Sequence, residues 1–508
     1  MIKSTVFTKN VADPPLGLKW RSHTIFIVCT VGIGTFTDMF LYGLIVPVLP
    51  FILKDHIHLP SSTIQSQISN LLAIYAAASM LASPMAGILA DRMLSSRQLP
   101  FLLGLVLLLC STLLLAIGRS IPVLALARFL QGASGGTVWT IGLALLTETV
   151  GQENLGKTIG TIFSFVSVAG LFSPIVGGLL YAKTGYTGVF GIGAAFVVLD
   201  FIMRLLMIEK KVAAPYLFSD QNPSESSDSL EPHASTEWTP LLSNRSPETL
   251  PELSPYHLEP PKNRLTKTLP ILLLLCSPSL LTGLFLGLIQ ATLLGAFDAT
   301  VPLVASQRYS FDSLRAGLLF LPLSLSDFLF GPVFGWAVDR WGTKPVAVAG
   351  FTFLVPVLTL LRIPVDNPSD AEMGHQIALY VSLLALNGIG LAIINSTSIV
   401  ECGSVLEKYC KANPKIFAEP PYAQLYGLNS MVWSLGLTVG PLMSGNLREK
   451  VGYGDMNAVM AGVCAGTAVL AMMFVGNRAE VTREGKDREG RGGDSEEQRL
   501  SCRGDPPF

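Results

Sequence analysis

Runs of about 20 apolar residues, the length an α-helix needs to cross a bilayer's hydrocarbon core, recur throughout this chain. They cover roughly 24–50, 66–90, 99–118, 121–147, 158–181 and 187–208. After a polar gap they resume at roughly 280–305, 312–337, 344–362, 374–400, 422–446 and 455–475. In lipid each backbone N–H and C=O must be satisfied within the protein, so segments of this length are expected to be helices. The expected fold class is an all-α membrane protein of about twelve transmembrane helices, six on each side of the gap. Composition agrees, with 14% charged residues where a soluble protein carries about 25%.

These runs set the expected divisions: a cytosolic N-terminus over 1–23, a six-helix half over 24–209, a linker over 210–266, a second six-helix half over 267–476, and a tail over 477–508. The linker's "SDQNPSESSDSLEPHASTEWTPLLSNRSPETLPE" is too polar to bury a core and reads as flexible. "LPILLLLCSPSL", from Leu269, reads as an interfacial segment broken at Ser277-Pro278. The tail reads as disordered, and the first apolar run as the insertion signal in place of a cleaved leader. An excess of Lys and Arg on one face places both termini in the cytosol. A net charge of −1 gives no footprint for nucleic acid, and the seven cysteines show neither metal spacing nor a disulfide framework.

The halves repeat each other. "GILADR" at Gly87–Arg92 returns as "GWAVDR" at Gly335–Arg340, each closing the second span of its half. "SVAGLFSPIVGGLLYAKTGY" from Ser167 returns as "SLGLTVGPLMSGNLREKVGY" from Ser434, pairing Pro174 with Pro441 and Gly178 with Gly445. Two matches in the same order imply two parallel, pseudo-symmetric halves. "GWAVDRWGTK" resembles the loop signature G-x-x-x-D-R-x-G-x-K of the major facilitator superfamily. "GILADRMLSSR" is a variant of it with Arg97 displaced. "RFLQGASGG", from Arg128, resembles the fourth-span motif of proton-coupled members, and "SPIVGG", from Ser173, the fifth-span antiporter motif. The set "TDMFLYGLIVPVLP", "SPMAGILADR" and "LDFIMRLLMIEKK" is similar to the fungal twelve-span drug:proton antiporters and to the vesicular amine transporters, whose first span carries an acid matching Asp38. Those transporters' second-span Lys falls near Tyr75 here, and their later acids near Asn395 and Ser430. The resemblance therefore implies the major facilitator fold and proton coupling, but through a different set of acids.

Charged groups inside spans are the candidates for chemistry, because an ionised carboxylate at a helix centre costs at least about 2.5–3.5 kcal/mol. Asp38 either lines an aqueous cavity, where it binds a cation or a proton, or pairs with Arg128 as a structural element. Arg128 cannot readily discharge and needs a partner or water; Gln131 is its polar neighbour, and the resemblance implies a role in proton coupling. Asp298, opposite Gly43 when the halves are aligned on Val46-Pro47 and Val301-Pro302, is either a coupling acid or exposed near the outer end. Glu401 and Asp327 are further coupling candidates. Tyr42 shares the face of Asp38. With Gln131, Asn395, Tyr426, Asn429 and Trp433 it makes up the expected substrate pocket, against core packing as the plainer reading.

Gly87, Asp91, Arg92, Gly335, Asp339 and Arg340 form the expected conformational latch, in which a carboxylate caps the positive N-terminus of a helix in the other half. Pro47, Pro174 and Pro441, with Gly170, Gly177, Gly178, Gly440 and Gly445, are expected to serve helix bending and close packing. "GQENLGKT", from Gly151, satisfies the P-loop pattern, but it joins two spans instead of following a strand, so no nucleotide is expected there.

The function expected from these residues is secondary active transport: a proton-coupled antiporter that exports small amphipathic or cationic compounds by alternating access. No enzyme activity and no cofactor or metal are expected, the proton gradient being the driving force. The expected partners are the small-molecule substrate, protons and the bilayer, with the protein a monomer in the plasma membrane. The linker's "EWTPLL" fits an acidic dileucine pattern and makes the vacuolar membrane the alternative. A nutrient facilitator or symporter is the rival function, although sugar-porter signatures are missing from "IEKKVAAP" and "VGNRAEVT". A transport-dead receptor is the remaining alternative.

Overall fold

The computed structural model describes residues 15–45, 53, 57–58, 60–93, 97–219, 256–258, 269–309, 311, 318–364, 373–417 and 419–476. The long helices are α1 (Thr24–Ile45), α2 (Ser61–Met93), α3 (Gln98–Ile117), α4 (Ile121–Val150) and α5 (Leu155–Leu206) in the first half. The second half contributes α6 (Pro278–Tyr309), α7 (Phe320–Trp341), α8 (Thr343–Leu360), α9 (Met373–Ile394), α10 (Thr397–Ala412) and α11 (Tyr422–Phe474). At 1.5 Å per residue, the 53-residue α11 would run about 80 Å if straight, more than twice the ~30 Å hydrocarbon core. It turns back at Gly452 (φ 85°, ψ 168°), as α5 does at Gly185 (φ 64°, ψ −148°). Positive φ at these two points is what the repeated Gly-Tyr pair encodes, since a Cβ disfavours it. Each of these helices therefore supplies two crossings, while α9 and α10 together make one across the break at Asn395-Ser396, so the described residues contain twelve crossings, six per half.

Two apolar cores form, one centred on the first half and continuing across the seams to Ala337 and Ala423, the other within the second half. In the first, Ile27, Leu41, Phe101, Leu105 and Ile141 pack together; in the second, Leu293, Phe351, Leu354 and Tyr380 do so. Leu103, Leu113, Leu329 and Met472 point outward, which suits lipid and not water. The protein is an integral, multi-pass membrane protein.

The halves meet along two seams, α2 against α11 and α5 against α7. Backbones touch there: a Cβ on Gly87 would lie 2.2 Å from the Ala423 carbonyl oxygen, and one on Gly335 would lie 2.3 Å from that of Gly156. Any side chain at these positions would force the seams apart. Gly177 and Gly440 play the same part within each half, against the Leu44 and Thr292 carbonyls. Gly170 and Gly445 face open space, so close packing is not their role. Pro441 lies inside α11 and against Gly295 of α6. Pro47 lies outside the described residues, as do the side chains of Arg92 and Pro174 and the surroundings of Gly178.

The eighth crossing includes the helix Phe320–Trp341, and residues 312–317 of its expected span lie outside the described residues. Two expectations shift. The segment after the sixth crossing continues as a helix, Lys210–Ser219, so the linker does not start at 210. The Lys210 ammonium donates to the Thr149 carbonyl (2.9 Å), which holds this helix against the bundle. Within the linker, residues 256–258 are docked: the Asn413 side chain accepts from the Leu258 N–H (2.8 Å) and donates to the Tyr256 carbonyl (2.8 Å). The short helix Ile271–Leu274 precedes α6, which starts at Pro278, at the break read from the sequence.

Candidate transport site and gating latches

A cavity lies between the halves, lined by Met39 of α1, Tyr75 of α2, Trp139 of α4, Phe163 of α5, and Asn429 and Trp433 of α11. Its aromatic wall is continuous across the halves. The ring of Trp139 lies 5.9 Å from that of Phe163, which lies 5.6 Å from that of Trp433. A hydroxyl pair, Ser79 with Ser434 at 3.1 Å, links the same two halves.

Asp38 sits behind this wall, fully buried. The Trp139 indole N–H donates to its Oδ2 at 3.2 Å and the Tyr75 hydroxyl at 3.4 Å, while Oδ1 has no partner among the described residues. The carboxylate fits only because position 135 is glycine: a Cβ there would lie 2.9 Å from Oδ1 and 3.0 Å from Oδ2. "RFLQGASGG" thus places Arg128 and clears room for Asp38 with the same helix. Gly132, one turn earlier, lets α2 approach so closely that a Cβ would meet the Tyr75 carbonyl at 2.1 Å.

Arg128 does not pair with Asp38, which removes the simplest structural account of both. Its Nη1 donates to Gln131 Oε1 (2.9 Å), and its guanidinium carbon lies 6.0 Å from the centre of the Tyr42 ring, while Nε and Nη2 have no partner among the described residues. The Tyr42 ring lies 4.9 Å from that of Tyr75, tilted at 42°, so two rings stand between Arg128 and Asp38. Asp298 of α6 is exposed and does not line the cavity.

Other candidates lie elsewhere. Glu401 is held at the opposite end of its half, where it accepts from the Thr343 hydroxyl and from the Gly476 N–H (3.0 Å). It staples the ends of α8 and α11 and does not join Asp38. Tyr426 accepts from the Thr147 hydroxyl (2.9 Å) across the halves and does not line the cavity, whereas Asn429 and Trp433 do. Asn395 binds Asp327, not the cavity: its Nδ2 donates to Asp327 Oδ1 (2.8 Å).

The two repeated loops meet helix N-termini, as their carboxylates suggested. Asp339 accepts from the backbone N–H groups of Gly156 (2.8 Å) and Lys157 (2.7 Å) at the start of α5. This is the stretch that resembles a P-loop, and the anion in its cradle is the protein's own carboxylate. Asp91 accepts from Ala423 (3.3 Å) and Gln424 (2.8 Å) at the start of α11. Arg97, displaced in sequence from the usual basic position, reaches back to Asp91 (2.9 Å) and also to Glu148 (2.7 Å). Arg340 is exposed. Both contacts join the two halves.

A second buried charged group escaped the sequence reading. Asp200 and Arg204, one turn apart in the second crossing of α5, are both fully buried. Arg204 lies over the Phe101 ring (4.2 Å), and Asp200 packs against Gly34. They lie within "LDFIMRLLMIEKK", where the spacing of four was a visible signal.

A family model described as Major Facilitator Superfamily matches residues 31–409. The chain belongs to this superfamily. It is 40% identical over 480 residues to the MFS-type transporter ppzB of Metarhizium rileyi, covering 91% of this chain and 97% of that one. More distantly, it is 22% identical over 473 residues to the vesicular acetylcholine transporter of Drosophila melanogaster, covering 86% of this chain and 69% of that one. The crystal structure of the human organic anion transporter MFSD10 (TETRAN) superposes with a TM-score of 0.57 at 18% identity, over 90% of this chain and all of that one. That likeness speaks for the major facilitator fold.

Proposed function

We propose that this transporter is a proton-coupled antiporter that exports small amphipathic or cationic compounds. The observation that carries the reading is Asp38: a buried carboxylate with an unpartnered oxygen, held by the indole N–H of Trp139 and the hydroxyl of Tyr75, both of which also line the cavity. An anion so placed is stabilised by an approaching cation or by a proton, and the two compete. The cavity's rings offer faces to a lipophilic cation, and Asn429 and Ser434 offer hydrogen bonds. Arg128 biases this competition through Tyr42 and Tyr75. The halves rock about the cavity, and the Asp91 and Asp339 latches hold its linker side shut until the cycle turns. With the linker in the cytosol, export proceeds across the plasma membrane.

The name of one relative supports cationic cargo, since acetylcholine is a quaternary ammonium. The test is purified protein in liposomes under an imposed pH gradient, assayed against a panel of cationic and neutral compounds. Uptake should follow the gradient in the wild type and lose that dependence in Asp38→Asn. Flux of every transported compound that ignores the gradient would refute antiport.

A further inference from the structure

The α5–α7 seam closes like a zip, rung by rung from the linker face inward. At the outermost rung Asp339 holds the N–H groups of Gly156 and Lys157. Next, Gly156 meets Gly335, and Gly160 meets Gly331. One turn deeper Ser164 lies against Gly331, where a Cβ would come within 2.8 Å of its hydroxyl. The innermost rung is different in kind, because there the Ser167 hydroxyl of α5 donates to Asp327 Oδ2 of α7. Asp327 lies twelve residues from Asp339, about 18 Å along the helix, so this bond closes the seam deep within the membrane.

Asp327 is also aimed from behind. Asn395, in the two-residue break between α9 and α10, donates to Asp327 Oδ1 (2.8 Å). Asn395 Oδ1 in turn accepts from Gln290 Nε2 of α6 (2.6 Å). A carboxylate with both oxygens bound, one within its own half and one across to the other, is oriented for a contact that only the closed seam provides.

We propose that Asp327 is the innermost lock of the seam: its bond to Ser167 holds the linker side shut, Asn395 and Gln290 position it, and the seam cannot open until that bond breaks. The lock adds to the two surface latches and does not depend on proton coupling, because it is read out by conformation.

The linker face carries a native reporter. Lys211 and Glu419, on opposite halves, pair at 2.6 Å and are both exposed. A zero-length carbodiimide coupling links them only when that face is closed. Lys411 and Glu407, one turn apart on α10 at 2.7 Å, give an internal control that opening leaves unchanged. In the full-length protein, Asp327→Ala and Ser167→Ala should each lower the Lys211–Glu419 yield at least threefold, with the control link retained. The double variant should fall no further than either single one, because both remove the same bond. Asp327→Asn keeps an acceptor for Ser167 and should restore at least half of the wild-type yield. Wild-type yields in both alanine variants, or single effects that multiply in the double variant, would overturn the lock. So would an asparagine variant as open as the alanine one. Ser167→Ala, a small change on a partly buried face, decides the question even if Asp327→Ala fails to fold.

Discussion

Removing the Asp339 carboxylate should open the linker face by an amount that the structure lets one work out. In Asp339→Ala the N–H groups of Gly156 and Lys157 lose acceptors at 2.8 and 2.7 Å, and the N-terminus of α5 loses a facing negative charge. Hydrogen bonds to charged groups are worth about 1.5–3 kcal/mol each, and a charge at a helix N-terminus adds about 0.3–1 kcal/mol. Asp339 is only partly buried and Lys157 is exposed, so water replaces much of what is lost, and a total of about 2–3 kcal/mol is reasonable. At 1.4 kcal/mol per factor of ten, this shifts the closed-to-open equilibrium about 30- to 150-fold toward open. Spin labels at positions 211 and 419, on a background without native cysteines, would show the shift as a second, longer distance population. The expected loss is smaller in Asp339→Asn, which keeps one acceptor but no charge. A distance distribution that changes less than threefold in Asp339→Ala would refute the assignment of Asp339 as a latch.

Two further perturbations test other parts of the structure. Gly135→Ala drives a methyl group against both Asp38 oxygens and the Tyr75 hydroxyl, at 2.9–3.0 Å. Overpacking of this kind costs about 1–3 kcal/mol, so thermal unfolding in micelles should fall by several degrees and gradient-driven flux should weaken; wild-type values for both would show that the carboxylate is not confined. Asn413→Ala removes both bonds that hold residues 256–258, a loss of about 1–2 kcal/mol, and cleavage of the linker by a protease should accelerate about 5- to 30-fold. An unchanged cleavage rate would mean that the linker is held by Tyr256 and Leu258 packing instead.

The crossings were legible because lipid forces backbone satisfaction and the apolar runs have a fixed length. The latches were legible because the two halves repeat, and a Gly that returns with an Asp-Arg pair is a geometric demand made twice. Asp38 stood out by its cost. Depth, by contrast, cannot be read from composition. Glu401, just past the tenth apolar run, is a coupling candidate by its charge, yet α10 carries it to the linker face, beside Thr343 and Gly476. Tyr426 and Asn429 share a helix face three residues apart, but only Asn429 reaches the cavity, because Tyr426 is taken by Thr147. Trp139, one of the two donors that hold Asp38, gives no signal, and Tyr75 marks only the place of the amine transporters' Lys: aromatic residues are unremarkable in spans, and only packing shows which of them points an N–H or O–H at an acid. Arg97 looked like a defect in the motif until its length brought it back to Asp91.

The carboxylates of this protein divide by what surrounds them, and the division follows the two-fold plan only in part. Asp91 and Asp339 are true repeat partners, each facing two backbone N–H groups of the other half. Backbone donors at a helix start cannot rotate away, so these bonds respond to distance between the halves, while Arg97 holds Asp91 from within its own half. Asp38 has no counterpart in register, for Asp298 aligns five residues further along, and its donors are two side chains that form the cavity wall. Side-chain donors can turn, and a cargo molecule resting against Trp139 or Tyr75 would change what they offer Asp38. The symmetric acids are therefore suited to holding a state, and the asymmetric one to sensing what the cavity contains. An exchanger needs both, because a site that senses without a gate leaks, and a gate that ignores the site moves nothing uphill.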